Sequence, residues 1–346
     1  MVRVSTLPFR LLALKYGAKK VFTPELIDKA IISSVKMVDP ETGVISFVSP
    51  DRNTLIWSTH PSEKDFLVFQ LGSSDPQLAV KAFKVVKEYI SEINLNAGCP
   101  KFFSIQAGMG AALLRKPDLL ASILNALGEE CIADPEKKVP LSVKLRLVTS
   151  SCCNGDHDAQ VAHDVHPSKK EKISLEELKD VAESSSKLFS FLATRCPNLD
   201  YVIVHSRRIS DRTEKTPAFW DVWDHLLESA KLHLVANGDF LSPCEIQAFW
   251  EKYNKYPALK GLLIARGAQS NPSIFLPFSK TPSELVDVFD ICKMFIPLAR
   301  TYTPMSFTHI KYTVLHMLPK PIERYQIGCL VLHATSWQAL LSAFNL

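Results

Sequence analysis

Residues 92–114 read EINLNAGCPKFFSIQAGMGAALL. The first seven residues have the character of a buried strand, Gly98-Cys99-Pro100 breaks it, Gly108 and Gly110 punctuate a loop, and a helical apolar run closes the stretch. A strand, a turn that presents a thiol and a helix are the beginning of a βαβ unit. Working outward, the same unit recurs. Strands are expected at 20–27 (KVFTPELI), 67–72 (LVFQLG), 140–146 (PLSVKLR), 201–207 (YVIVHSR), 233–239 (HLVANGD) and 261–267 (GLLIARG). Helices are expected at 8–16, closed by Gly17, and from Asp75-Pro76 to about Ile90. Others should start at Lys116-Pro117-Asp118, after Ser174, at Pro217, at Ser242-Pro243 and, briefly, at Asn271-Pro272. A hairpin is expected where 44–48 and 55–59 flank the turn sequence Pro50-Asp51-Arg52-Asn53.

Seven strands alternating with helices nearly make an eight-stranded (β/α)8 TIM barrel. A doubly wound open sheet also alternates, but gathers its informative residues at one switch point. Here nearly every strand ends in polar or glycine-containing sequence: Gln70-Leu71-Gly72, Asn96-Ala97-Gly98-Cys99, Lys144-Leu145-Arg146, His205-Ser206-Arg207, Asn237-Gly238-Asp239 and Arg266-Gly267. That favours the barrel. The pattern assigns residues 1–280 to a barrel domain and 281–346, where strand signals stop, to a small all-helical domain with turns near Thr303-Pro304 and Pro319-Lys320-Pro321. The segment 149–172, poor in large apolar residues and rich in Ser, Asp, His and Lys, reads as a mobile insertion.

The chain has 346 residues, 47% of them apolar, and a formal net charge of +4, which neither demands nor excludes a polyanionic partner. Eight cysteines without CxxC spacing argue against a zinc site or a disulfide framework and for a reducing, cytoplasmic setting. Cys152, Cys153, His157, His163 and His166 match no standard zinc spacing, so no metal is expected. No apolar run reaches the roughly eighteen residues needed to cross a bilayer, and the amino terminus does not read as a signal peptide.

Gly238 and Gly267, with Arg266, follow the last two strands, a corner where such barrels hold phosphate. Ordinary strand-to-helix turns are the alternative. Lys144 and His205 sit on otherwise apolar strands, where each alone reads as structural. Together with Gln70, Asn96 and Arg207 they would converge on one mouth. Cys99 has three readings: a buried small hydrophobe, a nucleophile, or a proton donor with an ordinary thiol pKa near 8.5. No histidine adjacent in sequence supports the second.

NAGCPKFFSIQAGMGAALL, followed in order by SVKLR, VHSR, VANGD and ARGAQSNPSIF, resembles the signature of the tRNA dihydrouridine synthases, over almost the whole chain. The Lys101, Phe103-Ser104 and GMGAALL details, the hairpin FVSPDRNTLIWST and the start MVRVSTLPFRLLALKYGA are most similar to the eukaryotic branch that acts on uridine 20 of the D-loop. The resemblance implies a barrel holding FMN at its mouth and a helical domain that helps hold tRNA. It implies flavin contacts from Gln70, Lys144 and His205, and contacts to the ribityl phosphate end from Asn237, Gly238, Ala265 and Arg266. Asn96 and Arg207 would lie near the target base. NADPH would reduce the flavin, hydride would pass to C6 of uracil, and Cys99 would protonate C5. In the family a first strand precedes the segment that begins here at Met1. The expectation is therefore a barrel short of one strand, with exposed edges, whose soluble yield and flavin retention improve when upstream residues are added. Reduction of a free pyrimidine, or a tRNA-binding protein without activity, are the competing expectations.

Overall fold

The computed structural model describes residues 1, 3–51, 54–153, 173–211, 216–277, 284–302 and 306–346. Its strands are β1 (Val21–Phe22), β2 (Leu26–Ile27), β3 (Val35–Val38), β4 (Ile45–Ser49), β5 (Thr54–Thr59), β6 (Leu67–Gly72), β7 (Glu92–Ala97), β8 (Leu141–Leu147), β9 (Tyr201–Arg208), β10 (His233–Asn237) and β11 (Leu259–Leu263). Its helices begin with α1 (Leu7–Lys15), α2 (Asp28–Ile32), α3 (Pro76–Val86), α4 (Phe102–Gln106), α5 (Pro117–Cys131), α6 (Ser150–Cys153) and α7 (Leu175–Arg195). They continue with α8 (Val222–Glu228), α9 (Pro243–Tyr253), α10 (Arg266–Ser270), α11 (Val288–Tyr302), α12 (Phe307–Met317), α13 (Gln326–His333) and α14 (Trp337–Ala343).

One parallel sheet runs β1, β6, β7, β8, β9, β10, β11, with β2 continuing β1 along β6. Helices α3, α5, α7, α8 and α9 each lie between two consecutive strands of it, the repeat of a (β/α) fold. Leu67, Val68, Phe69 and Leu71 are fully buried, as a strand covered on both faces requires. Among the described residues β1 pairs only β6 and β11 only β10. Residues 19–22 and 260–264 line one cavity, so the two edges face each other across it.

Local chemistry explains most boundaries. Asp75 accepts the Leu78 amide at the start of α3, and Ser174 and Ser242 form capping boxes with Glu177 and Glu245 that open α7 and α9. Gly17 ends α1 at φ +99°, where a Cβ would stand 3.0 Å from the Phe275 carbonyl oxygen.

Several expectations need correction. The strand at 20–27 is two short ones. Pro24 has no amide to donate, and Thr23 bridges the break: its amide donates to the Val68 carbonyl and its hydroxyl accepts from the Gln70 amide. The hairpin gains a third, antiparallel strand, β3, whose four residues are all exposed. Phe47 stacks on Trp57 at 4.9 Å, and Trp57 meets Phe69 edge-on at 5.1 Å, which fastens this small sheet to β6. The helix read from Pro217 starts at Val222, because the preceding residues are tied down elsewhere. The Phe219 amide donates to the Ser206 carbonyl and the Trp220 indole to the Gly238 carbonyl. Arg266-Gly267 opens α10 instead of ending β11, and the helix after Asp75 gives way at Lys87 to a 3-10 turn. Most of the 149–172 segment, with its three histidines, lies outside the described residues, as does the Thr303-Pro304 turn.

A second core, separate from that of the sheet, gathers Ile291, Phe295, Ile310, Val314, Val331 and Leu340 from α11 to α14. It also takes in Phe9 and Leu12 of α1. On its other side α1 carries Arg10, only 2% exposed, whose guanidinium donates two bonds to Glu63 and one each to the Ser5 and Ser58 carbonyls. Arg10 thus fastens α1 to the segment after β5.

Candidate active site

The carboxyl ends of β6 to β11 open into a cavity of about 860 Å³. Gln70, Asn96, Cys99, Lys144, His205, Arg207, Asn237, Gly238, Ala265 and Arg266, the ten residues singled out from the sequence, all line it. Nine lysines and arginines line it against three carboxylates (Glu25, Asp211 and Asp239), so its walls favour anions.

Cys99 is presented by a turn that the surrounding residues specify. The Asn96 side-chain oxygen accepts from the Gly98 and Cys99 amides at 3.0 and 3.1 Å, and its amide group reaches Gln70 Oε1 at 3.4 Å. The Gly98 carbonyl accepts from Arg146 Nε at 3.0 Å, and the Cys99 carbonyl accepts from the Ala111 amide at 3.0 Å. Gly110 adopts φ +57°, and a Cβ there would lie 2.7 Å from the Cys99 carbonyl oxygen. Only glycine fits so close behind this turn. Burial, and then the charge of Glu25, push the Cys99 thiol above its ordinary value, so the sulfur is protonated at neutral pH. That suits an acid and not a nucleophile.

His205 is neutral. Arginine can only donate, so the 3.0 Å contact from Arg207 Nη1 makes His205 Nε2 the acceptor and leaves the ring proton on Nδ1. Burial, reinforced by the charges of Lys144, Arg146, Arg207 and Arg266, drives its pKa far below the usual range. Burial, and next the charge of Arg146, lower the Lys144 ammonium to about 8.

Arg207 is 3% exposed and each of its guanidinium nitrogens has a protein partner: the Thr216 carbonyl, His205, and both oxygens of Asp239. These bonds hold it against His205 at the cavity wall. Asn96, likewise, spends its side chain on the Cys99 turn. Asp239, in a left-handed conformation at φ +54°, also accepts from Arg266 and from the Ala218 amide. Gly238 has φ +135°, and a Cβ there would stand 2.9 Å from Ala218 Cβ. Asn237 donates to the Leu263 carbonyl and so ties the ends of β10 and β11 together.

Three features escaped the sequence reading. Arg146 was quoted as a strand end, yet it holds the Gly98, Arg208 and Asp211 carbonyls and therefore the shape of the mouth. Glu25 enters the cavity from the break between β1 and β2. Beneath the mouth a buried polar ladder crosses the sheet: Gln70 donates to Asn94, Asn94 to Ser142 and Ser142 to Glu92, which also binds Tyr201 and Lys20. Its signal was present, since Glu92, Asn94 and Asn96 recur every second residue and so share one face of β7.

Residues 1–166 and 177–303 match the family model described as Dihydrouridine synthase (Dus). The chain is 32% identical to the tRNA-dihydrouridine(20) synthase of Schizosaccharomyces pombe, an alignment that covers 100% of this chain and 64% of the relative. It is 31% identical to the Saccharomyces cerevisiae protein of the same name, over 92% of this chain and 76% of that one. The S. pombe tRNA-dihydrouridine(20a/20b) synthase is 28% identical over 84% of this chain. The names of all three carry NAD(P)+. The chain thus spans a little under two thirds of the length of the first of these relatives.

Proposed function

The chain belongs to the dihydrouridine synthase family, and on that footing we propose that it reduces a uridine of tRNA to 5,6-dihydrouridine, at position 20 of the D-loop, with FMN as cofactor and NADPH as reductant. The observation that carries this reading is Cys99: a thiol kept protonated, fixed by its turn, at an electropositive cavity it shares with Gln70, Lys144 and His205.

The residues present fit FMN. The cavity has the volume of a cofactor site, has more cations than carboxylates in its walls, and offers Gln70, Lys144 and the Nδ1 proton of His205 as donors for the electron-rich edge of the ring. Asn237, Gly238, Ala265 and Arg266 make the corner for the phosphate end. When bound, FMN supplies the hydride that enters C6 of the uracil. Cys99 gives its S–H proton to C5 from the protein side, so hydride and proton together add the two hydrogens of the product. Asn96, Arg146 and Gly110 keep the sulfur in place, burial keeps His205 neutral, and Arg207, braced by Asp239, aims it.

A uridine inside folded tRNA must leave its stack to reach this cavity, so phosphate contacts have to hold the RNA while the pocket reads the base. The helices within 281–346 are the proposed second contact, and binding should weaken steeply with salt. The finer fold reading is a (β/α)8 barrel in which the slot between β11 and β1 is the place of the eighth strand. It is supported by the parallel order and by the two edges that face each other across the cavity. Position 20 is favoured because the two relatives at 31–32% identity are named for it, above the 20a/20b relative at 28%. The test is to offer NADPH with either unmodified tRNA or free uracil and uridine. Turnover of tRNA alone is expected. Turnover of the free base would replace this reading with that of a pyrimidine reductase, and flavin-free protein without product would leave a tRNA-binding protein.

A further inference from the structure

Glu25 is a cavity carboxyl that the proposed reaction does not use. Pro24 interrupts the pairing of β1 and β2 with β6, and Glu25 follows it into the cavity wall. The carboxyl packs against backbone: its Oε1 would lie 3.0 Å from a Cβ built on Gly72. Oε1 is buried and has no hydrogen-bond partner among the described residues. The side chain interacts directly with the Cys99 thiol, which donates toward it. Lys101 of the Cys99 turn, Lys144 of β8 and the Met1 amino group are the charged groups that also face it.

A half-buried carboxyl with one buried oxygen unpartnered is costlier as an anion than as an acid. Burial raises the Glu25 pKa accordingly, against the smaller opposing effects of Cys99 and the two lysines. The wall therefore sets a protonated thiol beside a carboxyl that holds a proton more readily than an ordinary glutamate. Resting on the reading of Cys99 as the proton donor, we propose that Glu25 acts through Cys99, holding the thiol in place and returning its proton after each turnover. The balance is simple. The S–H bond breaks as C5–H forms, the Glu25 O–H bond breaks as S–H is restored, and water at the cavity mouth reprotonates the carboxylate. No oxidant or reductant enters this cycle.

The test uses the full chain with Glu25→Gln and Glu25→Asp, and has one readout that needs no catalysis. Alkylation of Cys99 by iodoacetamide is followed against pH by mass spectrometry, with Cys99→Ala as the blank. The charge of Glu25 and its hydrogen bond both raise the Cys99 thiol, so Glu25→Gln should lower the alkylation midpoint by about one unit, and Glu25→Asp should stay near the parent. In turnover on tRNA, Glu25→Gln should lose less in the first cycle, where the thiol already carries its proton, than in the cycles that follow. It should then slow in steady state, on the order of a hundredfold, with Glu25→Asp recovering part of the loss. An unmoved alkylation midpoint, or equal loss in the first and later cycles, overturns the proposal. If the parent makes no dihydrouridine, the functional reading fails by itself, while the alkylation arm still decides whether Glu25 and Cys99 are coupled.

Discussion

Replacing Gly110 with alanine tests whether the Cys99 turn is as tightly specified as the structure shows. The residue sits at φ +57°, which costs a side-chain-bearing residue about 1 kcal/mol or more. The new Cβ would also stand 2.5 Å from Ser104 Oγ, 2.7 Å from the Cys99 carbonyl oxygen and 3.0 Å from Cys99 Cβ. The serine hydroxyl can swing away at little cost. The carbonyl cannot, because it is held by the Ala111 amide at 3.0 Å, so either that bond breaks or the whole turn moves. Overpacking of this kind adds roughly 1–3 kcal/mol, for a total of about 2–4 kcal/mol. With a urea slope near 3 kcal/mol/M, the midpoint should fall by about 1 M. Displacement of the sulfur by even part of an ångström should cost on the order of a hundredfold in turnover. Gly261→Ala is the control: among the described residues beyond its chain neighbours no atom lies within 4 Å of its added Cβ, so its stability should stay within about 0.5 kcal/mol of the parent. If the two variants unfold at the same urea concentration, the close approach behind Cys99 is not real.

Arg10→Ala leaves Glu63 buried and without its counter-charge, and should destabilise the chain by about 3–5 kcal/mol. Replacing both partners with Met and Gln should recover much of that, and urea denaturation of the two single variants and the double variant checks it. His205 should not titrate in the folded protein between pH 5 and 8, as proton-detected NMR of the ring would show. The sign follows from linkage. The unfolded chain takes up a proton near its ordinary value of 6.5 and the folded one does not, so stability is lost as pH falls through 6.5. His205→Gln should flatten that part of the stability curve.

The scaffold was legible because its signals are local. LVFQLG gave β6 with its bounds, and the serine and glutamate of each capping box lie three residues apart. The site was legible only as a set of residues. Nine of the ten that line the cavity stood in the polar or glycine-containing strand endings and Ala265 came with the family resemblance, but what each one does depends on partners remote in the chain. Arg207 is a strut because Asp239, 32 residues on, takes its guanidinium. Arg10 is a clamp because Glu63 lies 53 residues away. Glu25 was hidden inside a stretch that looks like one continuous strand and is broken at Pro24. The two-residue rhythm of Glu92, Asn94 and Asn96 was readable, and missing it cost the polar ladder under the cavity.

Cys99 is proposed to protonate a tRNA uridine whose reduction this cavity performs. The most direct measurement of this is positional mapping of dihydrouridine in unmodified tRNA after incubation with NADPH and either the parent or Cys99→Ala, with the flavin content of each protein recorded. Dihydrouridine is expected at position 20 with the parent, and none with Cys99→Ala, at equal flavin content. Equal product from both proteins would contradict it.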